Sequence, residues 1–196
     1  MNKGFPKLCL APLALLALFP VAALAHTGVG ATSGFAAGFA HPLGGTDHML
    51  AMFAVGLWAA QQGGRAMWLV PASFIVMMLL GGALGMAHIH LPLVEQGILA
   101  SVLVLGVLVA TAMRLPAYAG AILVAVFAVL HGHAHGTEMP LSVAGMSYAS
   151  GFVLATVLLH GAGIGLGIGL KQLNAARLVR LAGGVIAMSG LYLALA

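Results

Sequence analysis

The stretch PAYAGAILVAVFAVLHGHAHGTE, residues 116–138, runs from Pro116 to Leu130 without a charge and then closes on three histidines and a glutamate. About 20 apolar residues are what one helical crossing of a hydrocarbon core of roughly 30 Å requires. An ionisable side chain held near that core costs roughly 2.5 kcal/mol or more unless it is paired or hydrated. The stretch therefore predicts a membrane helix with a site at its mouth. A second group of the same kind stands at HPLGGTDH, His41 to His48.

The rest of the chain makes these groups stand out. Its 196 residues are 62% hydrophobic and 5% charged, whereas soluble domains carry about 25% charged residues. The acids are Asp47, Glu95 and Glu138, and two of the three fall in the clusters. The net charge of +4 comes from cations too scattered to form the basic face that nucleic-acid binding needs. A single cysteine, Cys9, excludes an intrachain disulfide framework and a multi-thiolate metal site. Any metal chemistry rests on nitrogen and oxygen donors, with methionine sulfur in reserve.

At the N-terminus, Lys3 and Lys7 precede an apolar core, Leu8 to Ala23, and a small-x-small signal, Ala23-Leu24-Ala25. This pattern predicts a signal peptide over 1–25, cleaved before His26, followed by a single transmembrane domain over 26–196. An uncleaved anchor is the alternative, and it too delivers residue 26 to the outer side. Further apolar runs occur at 46–62, 66–87, 96–113, 116–138, 144–170 and 174–195. The breaks carry Gly63-Gly64, Pro92, Pro116, Pro140 and the polar stretch 171–174, all turn or helix-stop signals. Six spans follow. Gly28 to Ala40 is too short to cross, at roughly 20 Å of helix, and reads as a re-entrant or interfacial helix. Six crossings from an outer start put Arg65, Arg114, Lys171, Arg177 and Arg180 near cytoplasmic ends, as the positive-inside rule expects. The histidines and acids then collect at outer ends, His160 alone lying mid-span. Gly161, Gly165 and Gly169, four apart, read as a packing face on the fifth span.

Each cluster has a chemical reading. Pro42, Gly44 and Gly45 predict a tight turn that folds His41 towards Asp47 and His48, with Thr46 capping the next helix. His131, His135 and Glu138, at i, i+4 and i+7, share a helix face, and His133 points roughly the opposite way. Two imidazoles and a carboxylate suit Ni²⁺, Co²⁺ or Zn²⁺ better than Mg²⁺ or Ca²⁺. Cleavage before His26 would leave a free α-amine and a ring nitrogen able to chelate one ion, unless that terminus is simply disordered. His88 and His90 read equally as vestibule ligands or as interfacial side chains, and Met49 and Met52 as packing.

Three segments together, the AHTGVG start at 25–30, HPLGGTDH and LHGHAHGTE, resemble the HupE/UreJ family of nickel permeases in residue types, spacing and order. The resemblance covers essentially all of 26–196. It implies that His41, Asp47 and His48, and His131, His135 and Glu138 with His133 intervening, handle the metal, and that the protein serves nickel enzymes such as hydrogenase or urease. Leu130 stands where a Phe often precedes the second motif, and both are apolar. The expectation is thus an all-α polytopic bundle, not an enzyme, in a bacterial inner membrane with its mature N-terminus periplasmic. It would import Ni²⁺, with Co²⁺ the second candidate, as substrate and without a prosthetic group. His26 would capture the ion and His160 would be a deeper station. Its partners would be the ion and membrane lipid, not nucleic acid. No Walker-type loop is present, so gradient or potential would drive transport. The rival reading is an intramembrane zinc-dependent hydrolase of the ceramidase-like type, and a metal sensor without flux is a third.

Overall fold

A computed structural model describes residues 34–139 and 144–196, in which every regular element is helical. In chain order these are α1 (Gly34–Gly44), α2 (Thr46–Gln62), α3 (Ala66–Met86), α4 (Val94–Thr111), α5 (Ala117–Thr137), α6 (Gly145–Gln172) and α7 (Ala176–Leu195). Helices α3 to α7 are long and apolar enough to cross a membrane. Helix α2, with 17 residues, is roughly 25 Å long. The six expected runs correspond to α2–α7, every end agreeing within two residues. The signal peptide, its cleavage site, Cys9, His26 and Pro140 lie outside the described residues.

Outward faces remain apolar. Val76 on α3, Ile122 and Val126 on α5, and Leu181, Val185 and Met188 on α7 are each more than half exposed. Water would not tolerate so continuous a surface, whereas hydrocarbon does. Inside, Met52, Leu57, Trp58 and Phe74 form the largest buried side chains. Polar groups at one end of α2 close the ends of its neighbours: Trp58 Nε1 donates to the Met113 carbonyl (2.9 Å) and Gln61 Nε2 to that of Val109 (3.0 Å). These carbonyls lie in the last turn of α4 or just past it, where the regular backbone bonding of the helix runs out.

Glycine decides which helices touch. A Cβ at Gly81 would overlap the Val129 carbonyl, one at Gly132 the Met78 carbonyl, and one at Gly136 the Gly82 carbonyl. Helices α3 and α5 therefore run parallel, backbone against backbone. In the same way α2 and α6 meet where Gly56 faces the His160 backbone and Gly163 that of Phe53. The predicted packing face on α6 is not the one that α2 meets. A Cβ at Gly161, Gly165 or Gly169 meets nothing within 4 Å. Helix α2 lies instead against the face that carries Thr156, His160, Gly163 and Gly167, roughly 170° round from the predicted one and so nearly on the opposite side of the helix.

The turn between α1 and α2 is tighter than the sequence implies. Helix α1 continues through Pro42, which near a helix end removes only one backbone bond. The break narrows to Gly45, which takes the N-cap position predicted for Thr46, with φ −98° and ψ 116°. A Cβ at Gly45 would lie 3.0 Å from Asp47 Oδ1 and 3.1 Å from His48 Nδ1. The carboxylate folded back over the helix start leaves little room there, so a side chain at position 45 would press on Asp47 and His48. Gly38 against Tyr148 and Gly151 against Phe35 set α1 antiparallel alongside the first turns of α6, and this packing brings His41 to the end of α5.

Candidate metal centre

The last two turns of α5 carry His131, His133 and His135. A spacing of four turns His131 and His135 to the same side, where they are 0% and 3% exposed. His133 faces the other way, its Nε2–H donating to the Ile89 carbonyl at 2.7 Å. Against the first pair stands the opening turn of α2. The His48 ring centre lies 4.8 Å from that of His131 and 4.3 Å from that of His135. One donor atom from each of His48, His131 and His135 lies within 4.8 Å of the others, a group that could hold a metal ion.

Proton positions follow from the partners. Asp47 Oδ1 accepts from both the backbone N–H and the ring Nδ1 of His48, each at 2.8 Å. A carboxylate only accepts, so Nδ1 carries the ring proton and Nε2 keeps a bare lone pair. On the other side Ser101 gives its one hydroxyl proton to the Ile98 carbonyl at 2.6 Å. Its Oγ, 2.8 Å from His131 Nε2, must then accept from that nitrogen, which leaves His131 Nδ1 bare. His48 Nε2, His131 Nδ1 and both nitrogens of His135 are indeed buried without a protein partner. Orphaned buried acceptors cost free energy. Three clustered imidazoles with unpartnered nitrogens offer the kind of donor set that a borderline divalent ion takes. An ion about 2.1 Å from each donor keeps the donors within about 4.2 Å of one another, so small ring rotations close the set.

Asp47 stands behind His48, holding its tautomer, and is not among the grouped donors. This carboxylate–imidazole arrangement is the usual support of a ligating histidine. Glu138 takes the other role. With His41 and His135 it makes a second three-donor group at the exposed end of the pocket. His41 Nε2 donates to Glu138 Oε2 at 3.1 Å, and this bond holds the Glu138 carboxyl below its ordinary range although partial burial pushes it up. His135 belongs to both groups. It is therefore the hinge between an exposed set and a buried one.

His160 lies apart from both groups. It is 2% exposed, both its ring nitrogens lack a protein partner, and its ring meets that of Phe74 edge-on at 5.1 Å. The same Phe74 ring is 5.7 Å from His131, so one aromatic side chain touches the pocket and the deeper histidine. Met52 is fully buried, its sulfur 3.5 Å from the Thr156 hydroxyl, in keeping with packing. His88 and His90 are exposed.

Ser101 is the functional-site residue that the sequence does not reveal. A lone serine in an apolar helix ordinarily bonds its own backbone, and only the fold brings His131 to it. Ser101→Ala removes the acceptor that fixes the His131 tautomer. Affinity of the purified protein for a borderline divalent ion should fall by about tenfold, the low end of the effect of removing a ligand's support, with no loss of folded protein. Isothermal titration checks this, and unchanged affinity would show that Ser101 only packs.

The family model described as HupE / UreJ protein matches residues 13–193. Protein HupE of Rhizobium leguminosarum bv. viciae is 47% identical over 179 residues, covering 91% of this chain and 92% of the relative. No solved structure matches the chain. With a family model spanning nearly its whole length and a relative of that identity, the chain belongs to the HupE/UreJ family.

Proposed function

We propose that this protein is a six-span permease that admits divalent nickel, with cobalt the second candidate, from the outer side of a bacterial inner membrane to the cytoplasm. One observation carries the reading: imidazoles from α2 and α5, remote in sequence, meet with bare nitrogens in a buried pocket next to an exposed carboxylate–imidazole set. Family membership supports transport of nickel or cobalt.

The arrangement suggests a sequence of steps. His26, freed by signal cleavage, and the exposed set of His41, Glu138 and His135 take the ion from water. His135 then carries it inward, exchanging His41 and Glu138 for His48 and His131. Sharing one ligand lets the others exchange singly, so the ion is never bare, and sites of modest strength let it pass on. His160 is the next imidazole inward. Helix α1 acts as the re-entrant element that brings His41 to the mouth. The membrane potential favours a dication moving inward by about 2.3 kcal/mol per charge per 100 mV, which suffices without ATP. Nickel is substrate here, and a nickel enzyme such as hydrogenase or urease is its destination. The zinc-hydrolase reading draws no support from the family, and Ser101, the serine at the centre, has its proton committed to Ile98.

Uptake of radioactive nickel by cells expressing the full chain tests this. Accumulation well above that of an empty-vector strain is expected, abolished in His48→Ala/His131→Ala protein that still inserts. Background uptake by correctly inserted wild-type protein overturns the permease reading. Nickel binding with no change in cell content would point to a sensor.

A further inference from the structure

Three cations share a hollow at the end of the bundle remote from the histidines. Arg114 in the α4–α5 connection, Lys171 at the end of α6 and Arg180 in α7 line a cavity of about 190 Å³ beside Gln61, Gly167 and Val179. Arg180 is fixed there, because its Nε donates to the Ala110 carbonyl at 2.8 Å, an acceptor in the last turn of α4 with no helical donor of its own. The terminal guanidinium nitrogens remain for another partner. No carboxylate is at hand. The acids of the chain are Asp47, Glu95 and Glu138, which open α2, open α4 and close α5, all at the opposite ends of those helices. Among the described residues the ion pairs are His41–Glu138 and His48–Asp47, so neither involves an arginine or lysine.

Like charges gathered around a hollow and left unneutralised favour an anion between them. A volume of about 190 Å³ is well above the roughly 10–15 Å³ on the same measure that a single water needs, and leaves space for a tetrahedral phosphate. A guanidinium matches phosphate oxygens with paired N–H donors, and an ammonium serves as a point charge. Leu181 and Val185, next along α7, are 65% and 66% exposed and offer acyl chains a surface leading away from the hollow. We infer that this hollow is a phosphate-binding site, occupied by the headgroup of an anionic phospholipid or by free phosphate. Basic pockets between membrane helices are suited to such headgroups. The inference stands independently of the metal reading, since it uses none of the same residues.

The test is the thermal midpoint of the purified full chain in detergent with added phosphatidylglycerol, phosphatidylcholine or inorganic phosphate. Phosphatidylglycerol is expected to raise the midpoint by about 4 °C or more and phosphatidylcholine not to. The shift should vanish in Arg114→Gln/Lys171→Gln protein and persist in Arg65→Gln/Arg177→Gln protein, which loses the same charge outside the hollow. Native mass spectrometry should show retained phosphatidylglycerol with the same pattern, which guards against a variant whose melting is altered for other reasons. An equal rise with inorganic phosphate alone identifies the free anion as occupant. No rise with either phosphate source, or equal loss in both double variants, overturns the site.

Discussion

Nickel affinity should fall by more than about 100-fold in His135→Ala, beyond the 10- to 100-fold range seen when only a ligand's support is removed. His135 is the donor common to the exposed group with His41 and Glu138 and the buried group with His48 and His131. Its loss leaves two donors in each. Neither pair can replace enough of a hydration shell to hold the ion. The ring is 3% exposed and neither nitrogen has a protein partner, so its removal breaks no internal hydrogen bond and should leave the fold intact. Its contact with Phe152, ring centres 4.0 Å apart, leaves a small void whose cost appears in the melting midpoint and not in metal binding. Titration of purified protein with nickel, together with cellular uptake, measures both. His133→Ala is the matched comparison, because that ring bonds Ile89 and faces away from the pocket. If His135→Ala binds nickel as tightly as the wild type, the two groups are not a continuous site.

What was legible in the sequence divides along physical lines. Helix positions could be read because each apolar run was long enough to approach a crossing and was bounded by glycine, proline or charge, signals local to the chain. The convergence of His41 and His48 with His131 and His135 was legible for a different reason: ionisable groups in a membrane protein must find one another or water. The division of labour within the clusters was not. Asp47 and Glu138 look alike in sequence, but Asp47 is spent on its neighbour His48 through a bond between adjacent residues, while Glu138 reaches His41 across 97 positions. Which face of α6 packs was equally hidden, since rows of glycine through 161 and 163 are both available and only the position of α2 selects between them. Ser101 gave no local signal at all.

Adding one methyl group at Gly132 should injure both the fold and the site. A Cβ there falls on the carbonyl of Met78 and lies 2.9 Å from the Gly82 nitrogen. These are backbone atoms, which cannot rotate aside as a side chain would, so α3 and α5 must separate. Overpacking of this kind costs about 1–3 kcal/mol, and at the upper end Gly132→Ala should lower the melting midpoint by about 5–10 °C. The same movement carries His131 and His135, the residues flanking this contact on α5, away from His48. Since a ligand set works only within about 0.5 Å of its productive geometry, nickel affinity should fall by more than about tenfold although no ligand has been altered. Gly161→Ala provides the contrast, for its Cβ meets nothing within 4 Å and alanine is the better helix former by about 1 kcal/mol. That variant should melt no lower than the wild type and bind nickel normally. A Gly132→Ala protein that keeps both its melting midpoint and its nickel affinity would mean that α3 and α5 do not meet backbone to backbone, and the placement of the α5 histidines against α2 would lose its structural basis.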